Sequence, residues 1–155
     1  MSGDLQVAIL MGSESDREVM EVCLQELEKF CVTCELEVYS AHRAPEETRA
    51  YVERALERGA RVFIAGAGMS AALPGFVASC TIRPVIGIPL ASGLPGGIDA
   101  LLAISQMPPG VPVATVSVGK TGARNAAILA AEIMALSDSG LAKRLKEMRD
   151  GWKHR

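Results

Sequence analysis

The chain has 155 residues, with sixteen Lys and Arg against eighteen Asp and Glu for a formal net charge of -2, so it offers no basic field for nucleic acid or an anionic membrane. At 16.4 kDa it is sized for one domain over 1–155, with a core at about 5–136 and a C-terminal helix over 138–152. An apolar fraction of 49% against 22% charged is high for a soluble domain and predicts surface hidden in a homo-oligomer.

No run reaches the roughly 18 apolar residues of a membrane span. The first five residues contain Asp4 and no basic cluster, which gives the expectation of a cytoplasmic protein, neither exported nor anchored. Without a secretory signal, Cys23, Cys31, Cys34 and Cys80 read as reduced thiols. Cys31 and Cys34 lack a second ligand pair, since the only histidines are His42 and His154, so no metal is expected.

Apolar runs alternate with amphipathic stretches, as in a parallel sheet covered by helices. Residues 5–11 read as a buried strand. Over 16–30, Val19, Met20, Cys23, Leu24, Leu27 and Phe30 recur at the spacing of a helix with one buried face. A second strand is expected over 35–39. Pro45 opens a helix over 46–58, and Gly59 stops it. A strand over 61–65 precedes a short helix over 70–79. The fourth strand, 83–88, is expected to end at Pro89, with 89–97 a loop able to act as a lid. A short helix over 98–105 and a turn at Met107-Pro108-Pro109-Gly110 lead to a fifth strand over 111–118. Helices over 121–136 and 138–152 complete the chain. The first of these carries Ala123, Ala126, Ala127, Ala130, Ala131 and Ala135, small side chains that suit close packing on the chain's own sheet or on another subunit.

This order is the doubly wound open α/β plan, in which ligands sit at the carboxyl ends of the strands. Three strand–helix junctions are chemically unusual. Gly12-Ser13-Glu14-Ser15-Asp16 puts backbone N–H groups and hydroxyls at a helix start, which suits a phosphate, with Asp16 accepting from sugar hydroxyls; the same residues also suit helix capping. Ser40-Ala41-His42-Arg43 joins a side chain that exchanges protons near neutral pH to a guanidinium clamp for phosphate or carboxylate. Gly66-Ala67-Gly68-Met69-Ser70-Ala71 follows the third strand rather than the first and has no acidic residue about 20 positions on, so it is a loop that approaches a ligand, not a dinucleotide fingerprint. Gly119-Lys120-Thr121 is no P-loop, because Ala114 stands where the motif needs glycine.

Together these motifs, with Leu73-Pro74-Gly75, Gln106-Met107-Pro108, Gly110-Val111-Pro112-Val113 and Asn125-Ala126-Ala127, resemble the PurE family of purine biosynthesis, in order from about Val7 to Leu136. The resemblance implies a three-layer flavodoxin-like α/β subunit in a homo-octamer. It implies a mutase that converts N5-carboxyaminoimidazole ribonucleotide to 4-carboxy-5-aminoimidazole ribonucleotide through CO2 release and recapture, with no cofactor. His42 then falls on the general acid/base. Ser13, Ser15, Asp16, Ser40, Ala41, Arg43 and Leu73 fall among the substrate contacts, with Gly66, Ala67, Gly68, Met69 and Ser70 beside the imidazole.

The chain departs from the mutase pattern at Ala72, where a second histidine is common, and at Met69-Ser70, where Gly-Ala is usual. A sister class that carboxylates 5-aminoimidazole ribonucleotide with CO2 directly also lacks that histidine. Its members usually carry Lys after the His and Arg-Ser-Asn in the third loop, so Arg43 and Gly66-Ala67-Gly68 favour the mutase. A noncatalytic nucleotide- or flavin-binding module is a further reading of the same fold, although 4% aromatic residues argue against a flavin.

Overall fold

In the computed structural model the described residues are 4–154, without the side chain of His154. The readings of the first three residues, of His154 as a side chain and of Arg155 lie outside them. The elements run β1 (Val7–Met11), α1 (Arg17–Lys29), β2 (Cys34–Val38), α2 (Pro45–Glu57), β3 (Val62–Gly68), α3 (Leu73–Cys80), β4 (Val85–Leu90), α4 (Ile98–Ser105), β5 (Ala114–Thr115), α5 (Gly119–Ala135) and α6 (Ser139–Asp150). The strands form one parallel sheet in the order β2-β1-β3-β4-β5, the flavodoxin-like order expected from the resemblance, with its switch point at β1/β3.

Strand periodicity divides the core into two layers. Val7, Ile9, Met11, Ile64, Ile86 and Ile88 face α1, α5 and α6, where they meet Met20, Leu27, Met134 and Leu141. Ala8, Leu10, Phe63 and Ala65 face the other way, toward Tyr51, Val52, Val77 and Ile104 on α2, α3 and α4. β1, β3 and β4 are buried almost throughout, as their unbroken apolar runs require in a sheet covered on both faces. The alanine-rich helix packs within the chain itself: Ala123, Ala126, Ala127, Ala130 and Ala131 are fully buried in the first layer. Their small side chains let α5 lie close to α1, β3 and β4.

Several boundaries differ from expectation, and those of β3, β4, β5 and α3 have physical reasons. β3 runs on to Gly68 instead of ending at Ala65, because Gly66–Gly68 stay in register with Ile88–Leu90 of β4. Pro89 lies inside β4 rather than ending it, so the loop expected over 89–97 begins only after Leu90. β5 pairs only as far as Gly87, so β4 has an open side at Pro89 where no ladder bond needs its missing N–H. β5 shrinks from eight expected residues to two. Pro112 cannot donate to a ladder, and Val111 instead turns back onto Pro108. α3 starts at Leu73, not Ser70, because Met69 and Ala71 adopt left-handed backbone with φ of 56° and 43°.

Candidate active site

At the carboxyl ends of β1, β2, β3 and β4 lies an open cleft of about 620 Å³. Its floor comes from the register of the sheet. Met11, the last residue of β1, pairs with Gly66, so Ala67 and Gly68 project beyond β1 and line the cleft. The neighbouring walls come from the first two junctions: Gly12, Ser13, Ser15 and Asp16 after β1, and Ser40, Ala41, His42 and Arg43 after β2.

Ser13 caps a short 3-10 turn over Glu14–Asp16 that leads into α1, with its Oγ accepting from the Ser15 N–H. The Ser15 hydroxyl donates to the same Oγ at 2.9 Å. Capping and ligand contact are therefore compatible here, because Ser13 and Ser15 line the cleft while they order the helix start. Asp16 makes no side-chain cap. Burial raises its carboxyl above the ordinary value, since a half-buried anion loses hydration.

The His42 turn is organised by Ser40. The Ser40 carbonyl accepts from Ala44 N–H at 2.8 Å, and its Oγ accepts from Arg43 N–H at 3.2 Å and Arg43 Nε at 3.4 Å. Pro45 then starts α2 with no N–H to satisfy. Arg43 and His42 are exposed, and neither side chain enters an ion pair among the described residues. Arg17 is occupied by Glu14, which leaves Arg43 as the cleft guanidinium available to an anion.

The third wall is the segment after β3. Met69 occupies the first central position of a turn closed by the Ala71 N–H to the Gly68 carbonyl at 2.9 Å. A positive φ there is typical of glycine, and holding another residue in it costs about 1 kcal/mol or more. Met69, Ser70, Ala71, Ala72 and Leu73 all border the cleft.

Of the residues singled out from sequence, Gly66 alone does not reach the cleft. It is buried in β3, where a Cβ would lie 2.2 Å from Met20 Sδ, so its lack of a side chain serves the seating of α1 on the sheet. Gly12, Ala71 and Ala72, named within the same motifs but not as substrate contacts, also border the cleft, and so does Ser92, which no motif included. For Ser92 a signal existed, since it follows a strand end as the other junctions do. Among the described residues no three His, Cys, Asp or Glu side chains converge as metal ligands would.

A family model described as AIR carboxylase matches residues 6–155. The chain belongs to the AIR carboxylase family. Relatives of this AIR carboxylase family member include two proteins named N5-carboxyaminoimidazole ribonucleotide mutase. That of Bacillus subtilis is 50% identical over 95% of this chain and 91% of its own length, and that of Pyrococcus abyssi is 49% identical over 96% and 84%. A crystal structure of Treponema denticola PurE superimposes with a TM-score of 0.83 at 32% identity, covering 96% of this chain and 92% of that one.

Proposed function

We propose that this protein is an N5-carboxyaminoimidazole ribonucleotide mutase of purine biosynthesis. One observation carries the reading: in a chain about half identical to proteins of that name, all three unusual junctions converge on one cleft at the sheet's switch point. The Ser13–Ser15 helix start and Arg43 suit the phosphate, Asp16 and Ser40 suit ribose hydroxyls, and the wall from Ala67 to Leu73 is left for the imidazole.

In that pose the carbamate N–C bond breaks, its electrons return to the exocyclic nitrogen, and CO2 is released in the cleft. His42 protonates that nitrogen. The electron-rich C4 then attacks the CO2 carbon to form the new C–C bond, and the C4 proton passes to His42. The His42 side chain ends in the protonation state in which it began and no net proton is consumed, as an isomerisation requires. Proximity does much of the remaining work, because CO2 held beside C4 reacts as though at very high concentration.

The reading includes a homo-octamer, supported by the exposed Ile82, Leu94, Ile98, Leu102, Leu136 and Trp152, which are apolar surface that assembly would cover. It also includes a cytoplasmic location; no helix among the described residues is long and apolar enough to cross a membrane.

The test supplies purified protein with N5-carboxyaminoimidazole ribonucleotide in one cuvette and 5-aminoimidazole ribonucleotide plus bicarbonate in another, following the 4-carboxy product by ultraviolet absorbance. Rapid product from the carbamate alone is expected. Product mainly from aminoimidazole and bicarbonate would assign the chain to direct carboxylation, and none from either would leave a binding module.

A further inference from the structure

We propose that Met69 is a specificity-determining residue that closes the reacting end of the cleft and keeps released CO2 from solvent; this inference rests on the mutase reading. The loops after β3 and β4 interlock through two glycines. The Ser92 hydroxyl sits on Gly68, where a Cβ would lie 1.7 Å from Ser92 Oγ, and Met69 sits on Gly93, where a Cβ would lie 3.2 Å from Met69 Cγ. Asp99 crowds the same face of Gly93: its Oδ2 would lie 2.1 Å from that Cβ and accepts the Leu94 N–H at 3.1 Å. Asp99 thus fixes the loop on which Met69 rests.

Met69 bears two costs in the free protein. Its backbone is left-handed, and its apolar side chain is 61% exposed on the cleft wall that it shares with Ala67, Ala71, Ala72 and Leu73. Strain of this kind persists where function uses it, and a flexible thioether can mould itself to a flat heterocycle. A ligand in the cleft would cover that side chain. CO2 has no charge to hold it in place, so recapture by C4 competes directly with escape. An apolar cover that excludes water favours recapture, whereas a mere tether between two loops would affect stability and overall rate but not the fate of CO2.

The experiment compares wild type with Met69→Gly, Met69→Ala and Met69→Leu. Each is given N5-carboxyaminoimidazole ribonucleotide with isotopically labelled bicarbonate, and enzyme-free decay is subtracted. The readouts are 4-carboxy product formed per substrate consumed, free 5-aminoimidazole ribonucleotide, and label in the product. For Met69→Gly and Met69→Ala, product per substrate should fall about threefold and label in the product rise correspondingly, while Met69→Leu stays close to wild type. Glycine relieves the backbone strain, so a melting temperature at or above that of wild type certifies the fold of Met69→Gly. Unchanged partition in both truncations, with wild type converting the carbamate, overturns the role of Met69 and leaves the mutase reading standing. A wild type that does not convert the carbamate overturns both.

Discussion

The ring of Tyr39 stacks on that of Tyr51, with centroids 4.6 Å apart and planes 26° apart, and so anchors the start of the His42 turn to α2. The stack is the end of a polar chain. The Tyr51 hydroxyl donates to Glu35 Oε1 at 2.9 Å, Arg58 donates to the same oxygen at 2.7 Å, and Arg54 donates to the Tyr39 hydroxyl at 3.2 Å. The turn therefore inherits its position from β2 and α2 together.

Glu35 gives this chain a pH dependence. Burial pushes its carboxyl up, but hydrogen bonds from Arg58 and Tyr51 outweigh burial and hold it below its ordinary value of 4.5. A depressed carboxylate contributes stability above its unfolded-state value, lost as pH falls through the folded-state value. Glu35→Gln should lower stability near neutral pH by about 1 kcal/mol, a figure discounted for the partial exposure of the pair. Chemical denaturation across acid pH should show that gap closing below the ordinary glutamate range. A gap that persists at strongly acid pH would contradict the ionic origin.

Asp16 has the opposite sign. Burial raises its carboxyl, so the folded state is favoured below the ordinary aspartate value and loses that advantage as pH rises through the raised one. Asp16→Asn should therefore raise the melting temperature at neutral pH, with the gain vanishing in acid. If the carboxylate accepts sugar hydroxyls, the same change weakens substrate binding about tenfold. Titration calorimetry with 5-aminoimidazole ribonucleotide, alongside melting curves, separates the two effects. A variant both less stable and equally tight in binding would refute the assignment.

The parts of the molecule legible in sequence are those whose chemistry is local. Periodicity reveals α1 and α2 because each has one buried face, and unbroken apolar runs reveal β1 and β4 because both faces are covered. The Gly66–Gly68 segment misleads because glycine reads as loop, whereas here it is strand: the absent Cβ at Gly66 makes room for Met20, a contact 46 positions away in sequence. β5 misleads in reverse. Its valines suggest a long strand, but how far it pairs depends on where β4 is open and on Pro112. At the cleft, the Ser13–Asp16 and Ser40–Arg43 walls were visible as motifs. Ser92 carries only the weaker signal of following a strand end, since its place at the cleft depends on Gly68 lying beneath it in the fold.

His42 and Arg43 are adjacent but should fail differently. General acid–base catalysis contributes roughly 10²–10⁴-fold, so His42→Asn should reduce kcat by about that much with KM little changed. Arg43→Ala removes charged hydrogen bonds to a dianion and should raise KM about tenfold to a hundredfold. Steady-state kinetics on the carbamate decides. A His42 variant altered in KM alone would remove it from the proton-transfer role.

The start of α5 offers a test of packing remote from chemistry. Gly122 lies under the strand-to-helix connection so closely that a Cβ would fall 1.6 Å from the Ser117 carbonyl oxygen and 2.6 Å from its carbon. Both are backbone atoms, which no rotamer change can move aside. The helix cannot retreat, because Ala123, Ala126 and Ala127 are fully buried behind it and Lys120 is paired with Glu18 on α1. Gly122→Ala should therefore destabilise by about 1–3 kcal/mol despite alanine's better helix propensity. Gly151→Ala is the control. Its site has nothing within 4 Å of the added carbon and a right-handed helical backbone, so the change should fall within about 0.5 kcal/mol. Urea denaturation of both variants measures the difference, and equal stabilities would mean that the first turn of α5 is not seated against Ser117.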